Sequence, residues 1–573
     1  MIWPDEIDFE IPEPVNLFEN FCAEFTCSLF KKGEFLPKKL QSLRKNWVKY
    51  RVPKRVAIEF VLRKDYLSDW AVELLEEYLY YTQNQFEHEL SKRGFCILVS
   101  RPIFNPWIIK NRFKNQFACS TQDTAENLGF PPTNYFIAAR KMSSKRSFLC
   151  VEEMRNKVSQ GDFLKIKTYQ NMKTLEKWDL VSRPHGTVEL FIHCEEGGKI
   201  QTLLRQSYPR PIICLPDRSH QDSAKSDGFI AESISASFDK NVLSNTSSLL
   251  ENESLLQLIK ERSGVGISQI KSIGLGLKYL PSPGGMLETI RSLHIEVTKA
   301  ESREALSDNH GIGMTQDLRW IEVQQILRAN QVGGLLSSRA EISIYDTLIS
   351  RKMKCDPWIG AELECEQFSK SVSFEAKSWR DINRPPLSPK EFQEIETTPE
   401  FLCVQRSTFL IPKDFDNVKM ELEWIDTLKS SSNTIAIIPL FMKGTQHFVG
   451  IEKRKLPAFE ILLNKSQVPC LPAWRIPKHF KGYEQTKTFV IHKTLSEFGL
   501  NVSDVEELGC PFFSSAGTTP ERVTFLVANV SGIEDGGGLA WISLDDILAN
   551  YREVEDGHLL IGIFRLCHAL GRI

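Results

Sequence analysis

Two heptapeptides in this chain present a glutamate after a serine and a glycine: SPGGMLE (Ser282 to Glu288) and SAGTTPE (Ser515 to Glu521), both of the form S-[PA]-G-x-x-x-E. Carboxylates are the side chains that hold Mg²⁺ against a diphosphate. A helix with acids at i, i+3 and i+4 puts three of them on one face, where the cation polarises a phosphoryl group for attack by water. Other chemistries leave no comparable trace. The histidines, His185, His193, His558 and His568 among them, form no H-E-x-x-H or other ligand spacing, and they read as structural. No G-x-S-x-G or Cys/His signature marks a nucleophile. The 13 cysteines are scattered without a C-x-x-C pair, which predicts reduced, half-buried thiols. Gly311 to Gly313 and Gly536 to Gly538 are loop glycines rather than phosphate loops.

The elements around the two heptapeptides repeat in one order. Cys214-Leu215-Pro216 is answered by Cys470-Leu471-Pro472; an amphipathic helix follows, closing at Gly264 in the first copy and at Gly499 in the second. The heptapeptide comes next, before an alternating strand, and LRWIEVQQIL (Leu318 to Leu327) matches LAWISLDDIL (Leu539 to Leu548). Each copy therefore reads strand, loop, helix with a glycine stop, strand, glycine turn, strand, loop, helix. That grammar predicts a mixed sheet flanked by helices.

These residues resemble the Nudix superfamily, within it the branch typified by ADP-ribose pyrophosphatases. The family box, G-x5-E-x7-R-E-U-x-E-E-x-G-U, is met in the second copy by Glu484, Glu497 and Gly499-Leu500, and in the first by Glu261, Gly264 and Val265. The stretch from Trp178 to Pro211, with Arg205, is similar to the strand and R-Q-Y segment leading into such domains. The resemblance implies Mg²⁺ or Mn²⁺ as cofactor, with Glu484, Glu497 and Glu261 as ligands. It makes Glu497 and Glu521 the catalytic candidates, with Glu521 orienting water or touching substrate, and Arg205 and Glu288 substrate-binding. The departures are large. Leu258 and Arg262 replace two glutamates of the first box, Lys493 and Ser496 two of the second, and Gln257 and His492 stand where the family has arginine. A base on the metal face opposes the cation electrostatically. Arg262, Lys493 and His492 are instead candidates to bind phosphate directly.

The fold class expected is α/β: two tandem Nudix-like α/β/α sandwich domains, 171–350 and 401–573, after an N-terminal mixed α/β region, 1–170. A Ser-rich insertion is expected at about 217–253 and a linker at 351–400. The 71 basic and 73 acidic side chains leave a net charge of −2, so any polyanion-binding surface must be local. One candidate is the run from Lys31 to Lys64, with 12 bases, two acids, Trp47 and Tyr50, following an opening 25 residues with seven acids and no base. Such a strip could follow an RNA backbone or meet a protein partner, or fold against the acidic leader. A single amphipathic helix is expected from Leu67 to Arg93, and a buried strand from Phe95 to Ser100. The acidic start and the lack of a long apolar run predict a cytoplasmic protein without membrane spans. Three functions stay open: a nucleotide-diphosphate-binding recognition or assembly module without standard hydrolysis, a divergent metal-dependent pyrophosphohydrolase working from the second copy, and an architectural protein in which the copies pair internally.

Overall fold

A computed structural model describes the chain apart from residues 1–4, 26–35, 77, 79–82, 94, 123–126, 142–150, 159, 184–185, 207–229, 239–248, 299–316, 332–336, 360–362, 364–373, 385–389, 414–415, 432, 478–482 and 534–537. It divides into two compact units, Met1–Met142 and Ser143–Ile573. Among the described residues no helix is long and apolar enough to cross a membrane.

In the first unit, strands β1 (Glu6–Pro12), β2 (Lys38–Leu40) and β3 (Trp47–Pro53) with β5 (Ala118–Ser120) form a sheet in the order β2-β3-β1-β5. Helices α1 (Asn16–Glu24) and α2 (Lys54–Arg63) contribute Phe18, Phe21, Val56 and Phe60 to its core. The acidic and basic runs meet here. The β1–β3 register sets Asp8 opposite Arg51 and Glu10 opposite Lys49, with Arg51 Nε 3.1 Å from Asp8 and Lys49 Nζ 3.2 Å from Glu10. Tyr50 is buried and donates to Glu19 at 2.7 Å, and the Trp47 ring lies 5.0 Å from the Arg44 guanidinium. Much of the strip from Lys31 to Lys64 thus folds against the acidic leader, because opposite charges directly across a sheet attract. Its Tyr50 ring is closed to a base. Lys31 and Lys32 lie outside the described residues.

The helix expected from Leu67 to Arg93 is instead broken into a 3-10 turn (Leu67–Asp69), one α turn (Trp70–Glu73) and helix α3 (Gln83–Lys92). The buried Arg63 guanidinium takes the carbonyls of Glu73 at 2.8 Å and Glu76 at 2.5 Å, which diverts acceptors that a continuing helix would use. Strand β4 runs from Phe95 to Ile103 and pairs with β6 (Asn134–Lys141).

The second unit opens with β7 (Val151–Val158), β8 (Lys165–Asn171) and β9 (Lys177–Ser182). The first repeat then comprises β10 (Gly186–Glu196), β11 (Lys199–Gln206), β12 (Ala231–Phe238), α4 (Glu253–Ser263), β13 (Ile270–Tyr279), β14 (Met286–Leu287), β15 (Ile290–Val297), β16 (Asp317–Glu322), α5 (Val323–Gln331) and α6 (Ser338–Ser350). Next come β17 (Ala376–Lys377), α7 (Trp379–Asn383), β18 (Phe392–Ile395), β19 (Leu402–Lys413) and β20 (Asp416–Thr427). The second repeat has β21 (Asn433–Lys443), β22 (Gln446–Arg454), α8 (Pro457–Leu463), β23 (Val468–Cys470), β24 (Ala473–Arg475), α9 (Tyr483–Phe498), β25 (Leu500–Glu507), β26 (Phe512–Phe513), β27 (Arg522–Ile533), β28 (Ala540–Ser543), α10 (Leu544–Ala549) and α11 (Gly557–Ala569).

The two main sheets share one arrangement of strands, to which the second adds β17, β23 and β26. β13-β15-β10-β12-β11-β16 in the first answers β25-β27-β21-β22-β28 in the second, with β24 on β21 where β12 lies on β10. Their central pairs are parallel, and the registers agree: Thr187 faces Ile290 and Thr434 faces Val523, each partner lying two residues beyond the heptapeptide glutamate. Trp320 and Trp541, the tryptophans of the shared L-x-W-I, face Leu203 and Gly450. Both helices end on left-handed glycines, Gly264 at φ +69° and Gly499 at φ +61°, where a side chain would be strained. One continuous core, with α6 and α11 at its centre, takes apolar residues from both repeats.

Two further expectations need correcting. The polar stretch 217–253 is not all insertion: β12 lies within it and pairs with both β10 and β11, because Ile234 and Ala236 alternate into the core. Residues 217–229 and 239–248 lie outside the described part. The 351–400 segment is not a free linker, since Trp379 is buried in the shared core and β18 pairs with β8.

β19 and β20 form a three-stranded sheet with β7. Glu423 on β20 accepts the backbone N–H groups of Asp162 (2.7 Å), Phe163 (2.8 Å) and Leu164 (3.0 Å), and Arg406 at 2.7 Å. Burial would raise its pKa, but those donors outweigh it and hold the carboxyl at about 2. With an unfolded value of about 4.3, Glu423 stabilises the fold fully above about pH 5, and that contribution disappears as pH falls toward 2. Glu423→Gln is therefore expected to cost about 2 kcal/mol at pH 7 and to lessen the loss of stability between pH 5 and pH 3, read by urea melts at each pH.

Candidate functional site: the two heptapeptide glutamates

The glycine turns at Gly284 and Gly517 carry their glutamates onto the ends of the parallel central strands. There they meet the same partner. Thr187 donates to Glu288 at 2.6 Å and Thr434 donates to Glu521 at 2.7 Å. Each heptapeptide also reaches the other repeat. The Ser282 hydroxyl donates to Glu521 at 3.0 Å, and Arg183 bridges Glu288 (3.1 Å) to the Ser515 hydroxyl (3.2 Å). The reciprocity extends to the backbone, where Leu280 bridges Asp556 and Ser337 bridges Phe513.

The second-repeat centre is closed by Ser514, donating to Glu521 at 3.2 Å, and by Arg475 at 3.8 Å. Burial would raise the Glu521 pKa; the Arg475 guanidinium, His558 and the hydroxyls of Thr434 and Ser282 together lower it. In the first repeat, burial is likewise outweighed by Arg183, Arg339 and Thr187, which hold Glu288 below the usual carboxylate range. Arg339 stands 3.5 Å from Glu288 and also feels Tyr279, Glu232 and Glu189. Arg205 pairs with Glu232 at 2.6 Å, so Arg205 and Glu288, both expected to bind substrate, belong to one electrostatic cluster through Arg339 and Glu232. Glu189, fully buried, accepts from Ser233 (2.5 Å), Ser292 (2.6 Å) and Ser343 (2.9 Å), and burial still pushes its pKa up. The Tyr279 hydroxyl and Glu288 Oε2 are buried beside this cluster with no hydrogen-bond partner among the described residues.

The helix-borne candidates sit elsewhere. Glu497 is exposed on α9, accepting from Lys493 at 2.6 Å and from the Trp474 indole at 2.8 Å. His492 is exposed on the same helix, and the Glu484 side chain lies outside the described residues. On α4, Glu261 is exposed and accepts from Gln257 at 2.7 Å, with half-buried Arg262 beside it. The structure thus joins Lys493 to Glu497, whereas Arg205 pairs with Glu232 and is linked to Glu288 only through Arg339. Among the described residues, no group of three or more His, Cys, Asp or Glu side chains is placed to hold a metal ion.

The heptapeptide glutamates were legible in the sequence; Thr187, Thr434, Arg183 and Arg339 were not singled out. A signal for the first two existed, because G-T-V-E-L and N-T-I-A-I place the threonine at the same point of the two copies. Arg339 had none, since its role depends on where α6 docks. No family model matches the chain, and no curated protein matches it.

Proposed function

We propose that residues 143–573 are a pair of Nudix-like repeats that bind the diphosphate of a nucleotide ligand through guanidinium groups and do not hydrolyse it, so that the chain acts as a recognition or assembly module. The observation that carries this reading is the gathering of guanidinium groups around Glu288. Arg183 and Arg339 both face Glu288, at 3.1 and 3.5 Å, and Arg205 pairs with Glu232 at 2.6 Å. Guanidinium groups pair with phosphate in a bidentate, directional way. The Tyr279 hydroxyl, which has no hydrogen-bond partner among the described residues, is a further donor for such an oxygen. Against hydrolysis stands the use of Glu521 and Glu497: the first binds hydroxyls from both repeats, and the second is tied to Lys493 and Trp474.

Calorimetric titration of the full chain with ADP-ribose and with NAD, in EDTA, tests this. Binding is expected without metal and at least about tenfold weaker in Arg339→Ala, in line with the loss of one charged hydrogen bond. AMP release is followed in parallel with Mg²⁺ or Mn²⁺ at high enzyme concentration. Turnover that disappears in Glu497→Gln would replace this reading with that of a divergent pyrophosphohydrolase. Absence of both binding and turnover would leave the architectural role.

A further inference from the structure

We propose that the first unit carries a binding face for single-stranded nucleic acid, centred on Trp107. It is independent of the diphosphate reading, which concerns the other unit. Between Leu90 and Gln122 the sequence has six bases and no acid. Within that stretch Asn105 caps a turn through the N–H groups of Trp107 (3.0 Å) and Ile108 (3.3 Å), and the chain continues as one turn of π-helix, Ile109–Phe113. π-helical turns recur at functional sites.

The turn has two sides. Ile108, Ile109 and Phe113 pack on the core of the unit. Lys110, Asn111 and Lys114 are exposed, and Trp107 is 61 % exposed, with Phe104 just before it at 47 %. Trp107, Lys110, Asn111 and Lys114 are thus the side chains the turn leaves in solvent. At its flank the Arg112 guanidinium lies 5.0 Å from the Tyr66 ring and donates to the Tyr66 hydroxyl at 3.1 Å. Asp65, 3.7 Å from Arg112 and 2.8 Å from Lys64, offsets only part of this positive charge.

A large apolar ring kept in water among lysines needs a partner that offers a flat face and negative charge together. A single nucleic-acid strand does so, because its bases stack on aromatic rings while its phosphates pass the cations. A duplex keeps its bases stacked on one another and offers the indole no face. An anionic membrane calls for a broad apolar helix face, whereas here Lys110 and Asn111 directly flank the single tryptophan.

Fluorescence polarisation with the full chain tests the proposal, using labelled twelve-nucleotide oligouridylate, the corresponding oligothymidylate and a hairpin duplex, at about 50 and 200 mM salt. The single strands are expected to bind more tightly than the duplex. Trp107→Ala is expected to weaken them about tenfold, with Trp107→Phe keeping most of the affinity. Lys110→Glu with Lys114→Glu should weaken binding further and flatten the salt dependence. A preference between the two single strands then tells RNA from DNA as the source. Unchanged affinity in Trp107→Ala, equal binding of the duplex, or binding to phosphatidylserine vesicles in place of the oligonucleotides would overturn it. Trp107 is exposed, so its variants are expected to melt at the wild-type temperature.

Discussion

Arg565→Met lowers the stability of the second unit by about 3–5 kcal/mol, the loss expected when one member of a buried ion pair is removed. Arg565 on α11 meets Glu341 on α6 through two hydrogen bonds, 2.7 and 2.8 Å, and both side chains are almost fully buried. Its remaining donors hold the carbonyls of Leu508 (3.2 Å) and Cys510 (2.8 Å). One guanidinium thus ties the closing helices of the two repeats to the loop before β26. Methionine fills much of the volume but leaves Glu341 charged and without its cation. Urea denaturation followed by tryptophan fluorescence reads the loss. The double variant Arg565→Met with Glu341→Leu removes both charges and is expected to recover most of it. Equal losses in the single and double variants would show that the unpaired glutamate is not the cause.

Arg63→Met has a comparable effect on the first unit, again about 3–5 kcal/mol. Arg63 is fully buried, pairs with Glu59, and donates to the carbonyls of Glu59 (2.9 Å), Glu73 (2.8 Å) and Glu76 (2.5 Å). Its guanidinium also stacks on Tyr78 at 4.2 Å and Phe25 at 5.2 Å. Removing it takes from buried Glu59 its closest cation, with Arg55 3.8 Å away and the Tyr78 N–H still donating at 3.3 Å, and leaves these carbonyls without their donor, so the chain from Glu73 to Tyr78 loses its anchor. Hydrogen exchange should quicken across peptides spanning α2 and residues 70–78 while peptides of α6 and α11 keep their rates. Faster exchange in both units alike would show that the effect is not local to Arg63.

Charge reading and chain folding part company at this same place. The apolar spacing from Leu67 to Phe86 fits one amphipathic helix, yet Leu75 is 80 % exposed and the helix stops after a single turn. Periodicity reports which side chains favour one face, and it is silent about an arginine ten residues earlier that claims the backbone carbonyls. The Lys31 to Lys64 strip shows the same limit. Its charge was plain, but whether those bases face a polyanion or Asp8 and Glu10 depends on strand pairing.

What the sequence alone determined is local or repeated. Glycine stops at Gly264 and Gly499, the strand beginning at Phe95, and the order of four shared features all follow from backbone preference and hydrophobic period, which neighbouring residues set among themselves. The heptapeptide glutamates belong here too. Where they point and what they hold depends on packing between distant segments. Ser282 and Glu521 are 239 residues apart in sequence, and Arg183 and Ser515 are 332 apart. Such contacts exist because α6 and α11 bury their apolar faces against one another and bring the two turns together. That burial is non-directional and leaves no fixed spacing in the chain, so the partners of each carboxylate emerge only when the two repeats close on one core.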